Sequence, residues 1–278
     1  MNKILVPVDF SELSEYALQV AATLAKRHNA EIVVLHMIGL SEAEFFKDEL
    51  QEYAEASYYM GLAKKRFDIF LNRPWLKDIK ISKTVQNYKI FSEIDKVAKE
   101  NGVNLIVMGS QGTGRRDTIF LGSNTEKVVR TSDIPVLVLK KRIKDFRLQK
   151  MVLGFDFETK SLQAYHKVLS FCALVQANLH LVYVNLPGMK YMSSHQMKSK
   201  VDTFFGLAYL GRNDSPPKPT YTCDYSVEKG IYNHAYEIGA DAITVITNGR
   251  SGLAHILKGC IGQDIANRAD LPVVTFKV

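Results

Sequence analysis

The part of this 278-residue chain best suited to chemistry is a glycine-rich segment, GSQGTGRRDTIFLGS, at residues 109–123. It directly follows the apolar run NLIVM, and two and nine residues separate Gly109, Gly112 and Gly122 in turn. Glycines after a strand permit positive φ and let backbone amides approach a phosphate without a Cβ in the way. Gly122 and Ser123 open the next predicted helix, whose free amides and positive dipole end suit a phosphate. The spacing therefore favours a phosphate site.

Two acidic or hydroxyl residues near this site also have purely structural explanations. Ser123 with Glu126 has the spacing of a capping box, which a helix start uses whether or not a ligand binds there. Asp9, which follows the first apolar run, could cap the first helix together with Ser11. Both explanations stand beside the ligand-binding one.

Three basic or ionisable side chains near the same sheet edge are similarly open to two interpretations. Arg115 and Arg116 lie inside the glycine loop and could neutralise phosphate charge, although exposed loop arginines are usually only solvated. His36 lies on a predicted strand, where a buried core histidine is the commoner outcome. Their convergence on one edge of one sheet is what favours the functional interpretation.

Internal similarity indicates that the chain is a duplicated domain. KILVPVDFS at residues 3–11 returns as KMVLGFDFE at 150–158, and residues 98–138 match 235–275 without a gap. The second copy is ten residues shorter in its middle. We predict one domain at 1–141 and another at 148–278, joined by a connector with six basic residues between positions 140 and 150.

Each copy alternates short apolar runs with helical patterns. The runs KILVPV, EIVVLHMI and NLIVM are apolar on both faces, as in buried parallel strands, and FSEIDKVAKENG between two runs has helical spacing. A longer amphipathic helix is predicted over 41–73, before the break at Pro74 and Trp75. The pattern predicts an α/β fold with a parallel sheet and right-handed crossovers.

Composition and charge exclude several classes of protein. With 46% hydrophobic and 23% charged residues the chain is not a disordered one, and its net charge of +7 is too small for a dedicated nucleic-acid binder. The three cysteines are isolated, so neither a disulfide framework nor a metal site is indicated. Without a leader or a run of 18 apolar residues, we expect a cytoplasmic protein with no membrane contact.

At this point the chain resembles the universal stress protein family in its tandem form, across both copies. The glycine spacing that ends in Gly122 and Ser123 is the family's ATP-binding signature. The resemblance implies two flavodoxin-like, Rossmann-like domains, each a five-stranded parallel sheet with helices on both faces, and ATP as ligand, with Mg²⁺ as a possible companion. The resemblance implies that Asp9, preceded by Pro7 and Val8, lies beside the ribose and adenine, and that the backbone of Met37 contacts the adenine. It implies that the ribose and phosphates are lined by Met108, Gly109, Gln111 and Gly112. The phosphates would be held by Gly122, Ser123, Asn124 and Thr125.

The second copy departs from this pattern. Asp156 keeps the position of Asp9, but Ile246 stands where Gly109 does and Cys260 where Ser123 does. A branched side chain at 246 disfavours positive φ and would crowd the phosphate path. We therefore expect one nucleotide per chain, in the first copy.

The last run of each copy, at 134–140 and 271–278, begins near a proline and is typical of an edge strand. The resemblance implies that these two strands pair antiparallel and join the copies as an internal pseudo-dimer. A further homodimer is compatible with the sequence.

The sequence is consistent with three functions, which experiment can distinguish. The first is an ATP-binding regulatory protein of the stress response, in which occupancy of the first copy is read by a protein partner. The second is a slow ATP hydrolase or phosphoryl-transfer enzyme, but the chain has no P-loop motif and Asp9 is the only acidic candidate in the pocket, so at most a weak ATPase is expected. The third is an interaction module that ignores nucleotide, with the second copy adapted to another ligand.

Overall fold

The computed structural model describes residues 1–38, 49–87, 93–110, 122–247 and 271–277. The chain divides into two compact units, Met1–Phe146 and Arg147–Val278. In the part of the chain that the structure describes, no helix has both the length and the apolar character needed to cross a membrane.

The first unit alternates strands and helices as the apolar runs predict. Its elements are β1 Lys3–Val8, α1 Glu12–His28, β2 Glu31–Ile38, α2 Glu49–Phe70, β3 Ile81–Asn87, α3 Glu93–Glu100, β4 Leu105–Gly109, α4 Ser123–Thr131 and β5 Val136–Leu139. The helix predicted over 41–73 is confirmed for 49–70, and positions 41–48 lie outside the described residues. A short 3-10 turn at Pro74–Leu76 follows it, at the predicted break.

The strand order in the first unit is β3-β2-β1-β4-β5, and the described strand pairs are all parallel. From β1 the chain adds β2 and β3 on one side and then crosses to the other side for β4 and β5. The order therefore reverses between β1 and β4. In open α/β sheets ligands bind at such a reversal, beyond the carboxyl ends of the strands.

Burial explains why the strands read as unbroken apolar runs. Ile4, Leu5 and Val6 of β1 and all four residues of β5 are fully or almost fully buried, because helices cover both faces of a parallel sheet. Helix α1 buries one stripe that includes Ala17, Leu24 and their neighbours.

The second unit repeats this plan. Its elements are β6 Lys150–Gly154, α5 Leu162–Val175, β7 Asn178–Asn185, α6 Ser194–Ala208, β8 Thr220–Cys223, α7 Val227–Glu237, β9 Ala242–Thr247 and β10 Val273–Lys277. Its order is β10-β9-β6-β7-β8, again with parallel pairs, so the reversal falls between β6 and β9. The predicted fold class, two α/β domains of five parallel strands, is confirmed for the described residues.

Helix α7 lies unusually close to the sheet of the second unit. A Cβ built on Gly230 would come within 2.6 Å of the Val184 side chain, and one built on Gly154 within 2.1 Å of Ile231. Both distances are far below van der Waals contact. The absence of these two side chains is therefore what allows α7 to pack against β6 and β7.

We expect Gly230→Ala to lower the free energy of unfolding of the second unit by about 1 to 3 kcal/mol, because the added methyl overpacks the α7–β7 contact. The matched control is Gly206→Ala on α6, where the added Cβ would meet nothing within 4 Å. Because alanine favours helix over glycine, that variant should gain up to about 1 kcal/mol. Urea unfolding followed by far-UV circular dichroism measures both, and a destabilisation by Gly206→Ala that matches Gly230→Ala would contradict the packing argument.

Candidate functional site

Strand register brings the ends of β1, β2 and β4 to one level. Val8 is in register with His36, and Leu5 is in register with Ile106, which places Val8 level with Gly109 when the pairing is continued. The residues that follow these ends therefore face one another across the reversal between β1 and β4. Three of the predicted site residues, Asp9, Met37 and Gly109, lie along this edge.

The turn that leaves β1 is sharp and closed by hydrogen bonds. The Asp9 carboxylate accepts from the Ser11 backbone N–H at 3.1 Å and from the Ser14 hydroxyl, and the Asp9 N–H donates to Ser14 Oγ at 3.1 Å. Ser11 is the N-cap of α1, since its side chain accepts from the Ser14 N–H. The capping explanation for Asp9 and Ser11 is thus correct in part: Ser11 caps, and Asp9 holds the cap in place.

Phe10, between those two residues, has a φ of 63°, which is rare for an aromatic residue. Its ring lies 4.5 Å from that of His36, 5.3 Å from Phe67 and 5.5 Å from Phe70, and the Arg66 guanidinium stands 5.8 Å from its centroid. A left-handed residue of this kind costs about 1 to 3 kcal/mol. The surrounding rings hold it, and the turn with it, in this conformation.

His36 is fastened to the same strand end. Its Nδ1 lies 2.8 Å from the carbonyl oxygen of Val8, so the proton is on Nδ1 and the carbonyl accepts it. Burial lowers the pKa of His36 below its ordinary value of 6.5, and the nearby Arg66 cation lowers it further. The hydrogen bond to Val8 and the charge of Asp9 act in the opposite direction but do not outweigh the burial. The neutral imidazole is a structural member of this edge, as the core-histidine interpretation predicts.

Gly109 needs to be glycine for a different reason from the predicted one. Its φ is not in the positive range, and a Cβ built on it would lie 2.9 Å from Leu13 Cβ and 3.3 Å from the Leu13 carbonyl. The first turn of α1 therefore presses on the end of β4. The expectation of positive φ at this glycine is wrong, whereas the need for a missing Cβ is real.

Helix α4 presents its first turn to the same edge. Its N-cap is Gly122, with no capping side chain, and the Gly122 N–H donates to the carbonyl of Ser110 at 2.7 Å. The predicted capping box of Ser123 with Glu126 is wrong, because Ser123 is the first residue of the helix rather than its cap. Because glycine has no side chain, the N-cap residue does not cover the start of the helix.

The next two residues of α4, Ser123 and Asn124, are exposed, whereas Thr125 is 4% exposed. The Thr125 hydroxyl donates to the carbonyl of Gly109 at 2.8 Å, which ties the helix start to the end of β4. Thr125 therefore has only its backbone amide to offer a ligand. Among the described residues, the backbone amides of 123, 124 and 125 have no acceptor, as is usual for a first helical turn.

The remaining predicted residues divide into three groups. Val8 and Met108 are buried, so only their backbone groups reach the edge, and Pro7 is partly exposed on β1. Met37 continues β2 in register with Gln86 of β3. Gln111, Gly112 and Arg115 lie outside the described residues.

Sequence reasoning missed Phe10 and the residues around it. The signal was present, since the first repeat reads VDFS and the second FDFE, with the same aromatic after the same aspartate. Phe157 in the second copy also has a positive φ, 55°. An aromatic residue retained by both copies in a left-handed turn marks a constraint of the domain rather than of one site.

The second copy keeps the turn but changes its neighbours. Asp156 is exposed and its carboxylate accepts from the Glu158 N–H at 3.1 Å, with glutamate where the first copy has the capping serine. A 3-10 turn at Thr159–Ser161 precedes α5, which begins at Leu162, three aligned residues later than α1. Ile246 lies on β9 at the place of Gly109. The close helix approach that excludes a side chain in the first copy is not repeated at this helix start.

A doubly wound parallel sheet, a tight acidic turn at the order reversal and an uncovered helix start define a flavodoxin-like domain with a candidate anion site. The sequence profile of the universal stress protein family matches residues 1–140 and 147–277. The chain belongs to the universal stress protein family and carries two of its domains.

Individual relatives agree with this assignment. Universal stress protein MJ0577 of Methanocaldococcus jannaschii is 31% identical over 51% of this chain and 96% of its own length, and YxiE of Bacillus subtilis is 33% identical over 50% and 99%. A universal stress protein structure from Archaeoglobus fulgidus covers 99% of this chain and 96% of its own, at a TM-score of 0.61 and 20% identity, and shows the shared fold. Another solved universal stress protein, 18% identical over 50% of this chain and 96% of its own (TM-score 0.37), is in complex with cAMP.

The lowered pKa of His36 makes the first domain sensitive to acid. Because the unfolded chain binds a proton at 6.5 and the folded one at a lower pH, the contribution of His36 is fully present above pH 6.5 and is lost as the pH falls through the folded value. We expect His36→Gln, which can still donate to Val8, to flatten the fall in stability between about pH 7.5 and 5.5. Urea midpoints read from the fluorescence of Trp75, the single tryptophan and a residue of the first unit, measure it. An unchanged slope would show that His36 does not carry the pH dependence.

Proposed function

We propose that the first domain binds an adenine nucleotide, ATP, and that occupancy of this site is a regulatory signal read by a protein partner. The observation that supports it most directly is the edge between β1 and β4, where Asp9 stands at one strand end and the uncovered start of α4 follows the other. This is the position at which doubly wound sheets bind their ligands.

The start of α4 suits the phosphates. The amides of the exposed residues Ser123 and Asn124, with the positive end of the helix dipole, attract an anion without a charged side chain. Gly122, the N-cap, adds no side chain that would keep a phosphate away. The glycine-rich segment between Gly109 and Gly122 supplies further backbone amides in this proposal.

Asp9 and Met37 suit the other end of the nucleotide. The Asp9 carboxylate is held in one orientation by the Ser11 amide and the Ser14 hydroxyl, which is what selective recognition of ribose hydroxyls or an adenine amino group requires. The backbone of Met37 lies level with Asp9 on the neighbouring strand and would address the adenine edge.

A role in binding is favoured over hydrolysis. In the described ranges no three His, Cys, Asp or Glu side chains are grouped so that they could hold a metal ion, and Asp9 already holds the α1 cap. A Mg²⁺ ion would in this proposal arrive with the nucleotide phosphates. ATP that binds only the folded state stabilises it by mass action, so occupancy can act as a signal without turnover.

We further propose that the second domain does not bind nucleotide. Ile246 brings a branched side chain to the strand end where Gly109 has none, and Glu158 stands beside Asp156 where Ser11 helps to orient Asp9. The antiparallel pairing of the two final strands remains a prediction, as does assembly into a homodimer.

The two aspartates form a matched pair for the first test. We expect Asp9→Asn to weaken ATP binding about 10- to 100-fold, since it removes one charge-assisted hydrogen bond from the site. Asp156→Asn should leave the affinity and a stoichiometry of one unchanged. Isothermal titration calorimetry measures both. Equal losses in the two variants, or two ATP molecules per chain, would contradict the assignment to the first domain.

The phosphate end is tested by Gly122→Val. Gly122 has a φ of −60° and a ψ of 144°, an extended conformation that valine adopts readily, so the fold should persist while the isopropyl group covers the helix start. Denatured wild-type protein should release ATP near one equivalent, and the variant almost none; Gly259→Val, at the matching position of the second copy, is the control.

Chromatography of the released and incubated nucleotide tests the enzymatic alternative. Incubated ATP should stay a triphosphate for hours, whereas ADP formed at rates nearer 1 per second would favour an enzyme. If nothing is released and added ATP gives no thermal shift, the interaction-module hypothesis replaces the nucleotide proposal.

A further inference from the structure

The second unit contains a cavity of 580 Å³ between helix α6 and the segment that leads into β8. One side is helix α6, which contributes the buried side chains of Met197, Val201 and Phe205 as its floor. The volume falls within the roughly 300–1,000 Å³ that small-molecule sites occupy. The polar residues of its lining are Ser194, Lys198, Asp202, Lys218 and Tyr221.

The walls of this α6 cavity are held in place independently of any ligand. Helix α6 begins with a complete capping box, in which Ser193 and Gln196 satisfy each other's backbone amides. Buried Asn185 fastens the preceding loop, because its amide group makes two hydrogen bonds, of 2.9 and 3.0 Å, with the backbone of Met192.

The opposite wall is stiffened by proline and by an ion pair. Pro216, Pro217 and Pro219 fix the backbone φ along the segment that faces α6. Just before them, Arg212 makes a two-pronged ion pair with Asp214, at 2.8 and 2.7 Å, and its guanidinium stands 5.1 Å from the ring of Tyr209. A cavity with such walls pays little ordering cost when it binds a ligand.

The first copy does not build the corresponding segment in this way. Between α2 and β3 it forms the 3-10 turn at Pro74–Leu76, which buries Leu76 to 6% exposure. In the second copy the segment before β8 has no such turn, and none of its three prolines is buried. The two copies therefore differ at this segment, and the proline-rich wall of the cavity belongs to the second copy.

Charge indicates what the α6 cavity would accept. Lys198 and Lys218 lie on its rim, and neither has an ion-pair partner within the described ranges. Asp202 is the single acidic lining residue, and burial together with its charge raises the pKa of Tyr221, which keeps that phenol a neutral donor. Two cations against one anion around an apolar floor favour a ligand with one negative charge.

We propose that the second domain binds a small aromatic monoanion in the α6 cavity. Its flat ring would pack between the prolines and the Val201 and Phe205 side chains, and its anionic group would lie between Lys198 and Lys218 at the rim. The proposal is independent of nucleotide binding in the first domain, and it gives the second copy a separate ligand.

A matched pair of fluorescent probes tests it on the full chain: 8-anilinonaphthalene-1-sulfonate, an aromatic monoanion, and N-phenyl-1-naphthylamine, the same skeleton without the sulfonate. The wild-type protein should bind the anion saturably and more tightly than the neutral probe. The double variant Lys198→Gln/Lys218→Gln should bind the anionic probe about fivefold more weakly, as expected for two exposed charge contacts. Its affinity for the neutral probe should be unchanged.

Blocking variants locate the site. Val201→Trp fills the cavity from its floor and Ser194→Trp from its exposed end, so both should abolish saturable binding of either probe; the second variant keeps the test valid if the first fails to fold. Leu210→Trp, at an 82% exposed position that does not line the cavity, is the control for an added tryptophan. Unchanged binding in Ser194→Trp, no saturable binding by wild type, or no effect of the lysine substitutions on the sulfonate would each overturn the proposal.

Discussion

The turn between the first strand and the first helix of each copy is the constraint on which the rest of the domain depends. It forces an aromatic residue into left-handed backbone, at Phe10 and again at Phe157, at a cost of about 1 to 3 kcal/mol each. Packing of the rings offsets this cost. In the first copy the turn then aims the Asp9 carboxylate at the start of α1, and α1 so placed presses Leu13 onto Gly109 of β4. One strained turn thereby links the end of β1, through α1, to the end of β4.

The same constraint has been built into different surroundings in the two copies. Phe10 packs against a histidine and two phenylalanines near a partly open edge, whereas Phe157 is 2% exposed among the rings of Phe155, Tyr183, Phe204 and Phe205. The second copy also draws α7 against its sheet through Gly230. The second copy thus encloses its turn more fully, and its cavity lies elsewhere, on α6. The duplicated domain thus retains its fold and its strained turn, while the side chains around that turn differ between the copies.

Sequence patterns predicted the strands, their parallel arrangement and the duplication, because buried parallel strands and repeated segments leave direct marks on residue order. They could not predict why individual residues are needed. Gly109 was expected to supply positive φ, but the close approach of Leu13 is a long-range contact that no local pattern reveals. Ser123 has the spacing of a cap, but the structure has Gly122 at that position, in an extended conformation and with no capping side chain. The role of Phe10 depends on Phe67 and Phe70, which lie at the far end of α2, beyond α1 and β2 in the sequence.

Hydrogen–deuterium exchange of the full chain with and without ATP tests most directly whether nucleotide is bound at the strand ends of the first copy alone. The account predicts slower exchange on ATP addition in peptides that cover residues 7–14 and 122–126, and no change in the aligned peptide 154–161 of the second copy. Protection of the second copy to the same extent, or of neither, would contradict it.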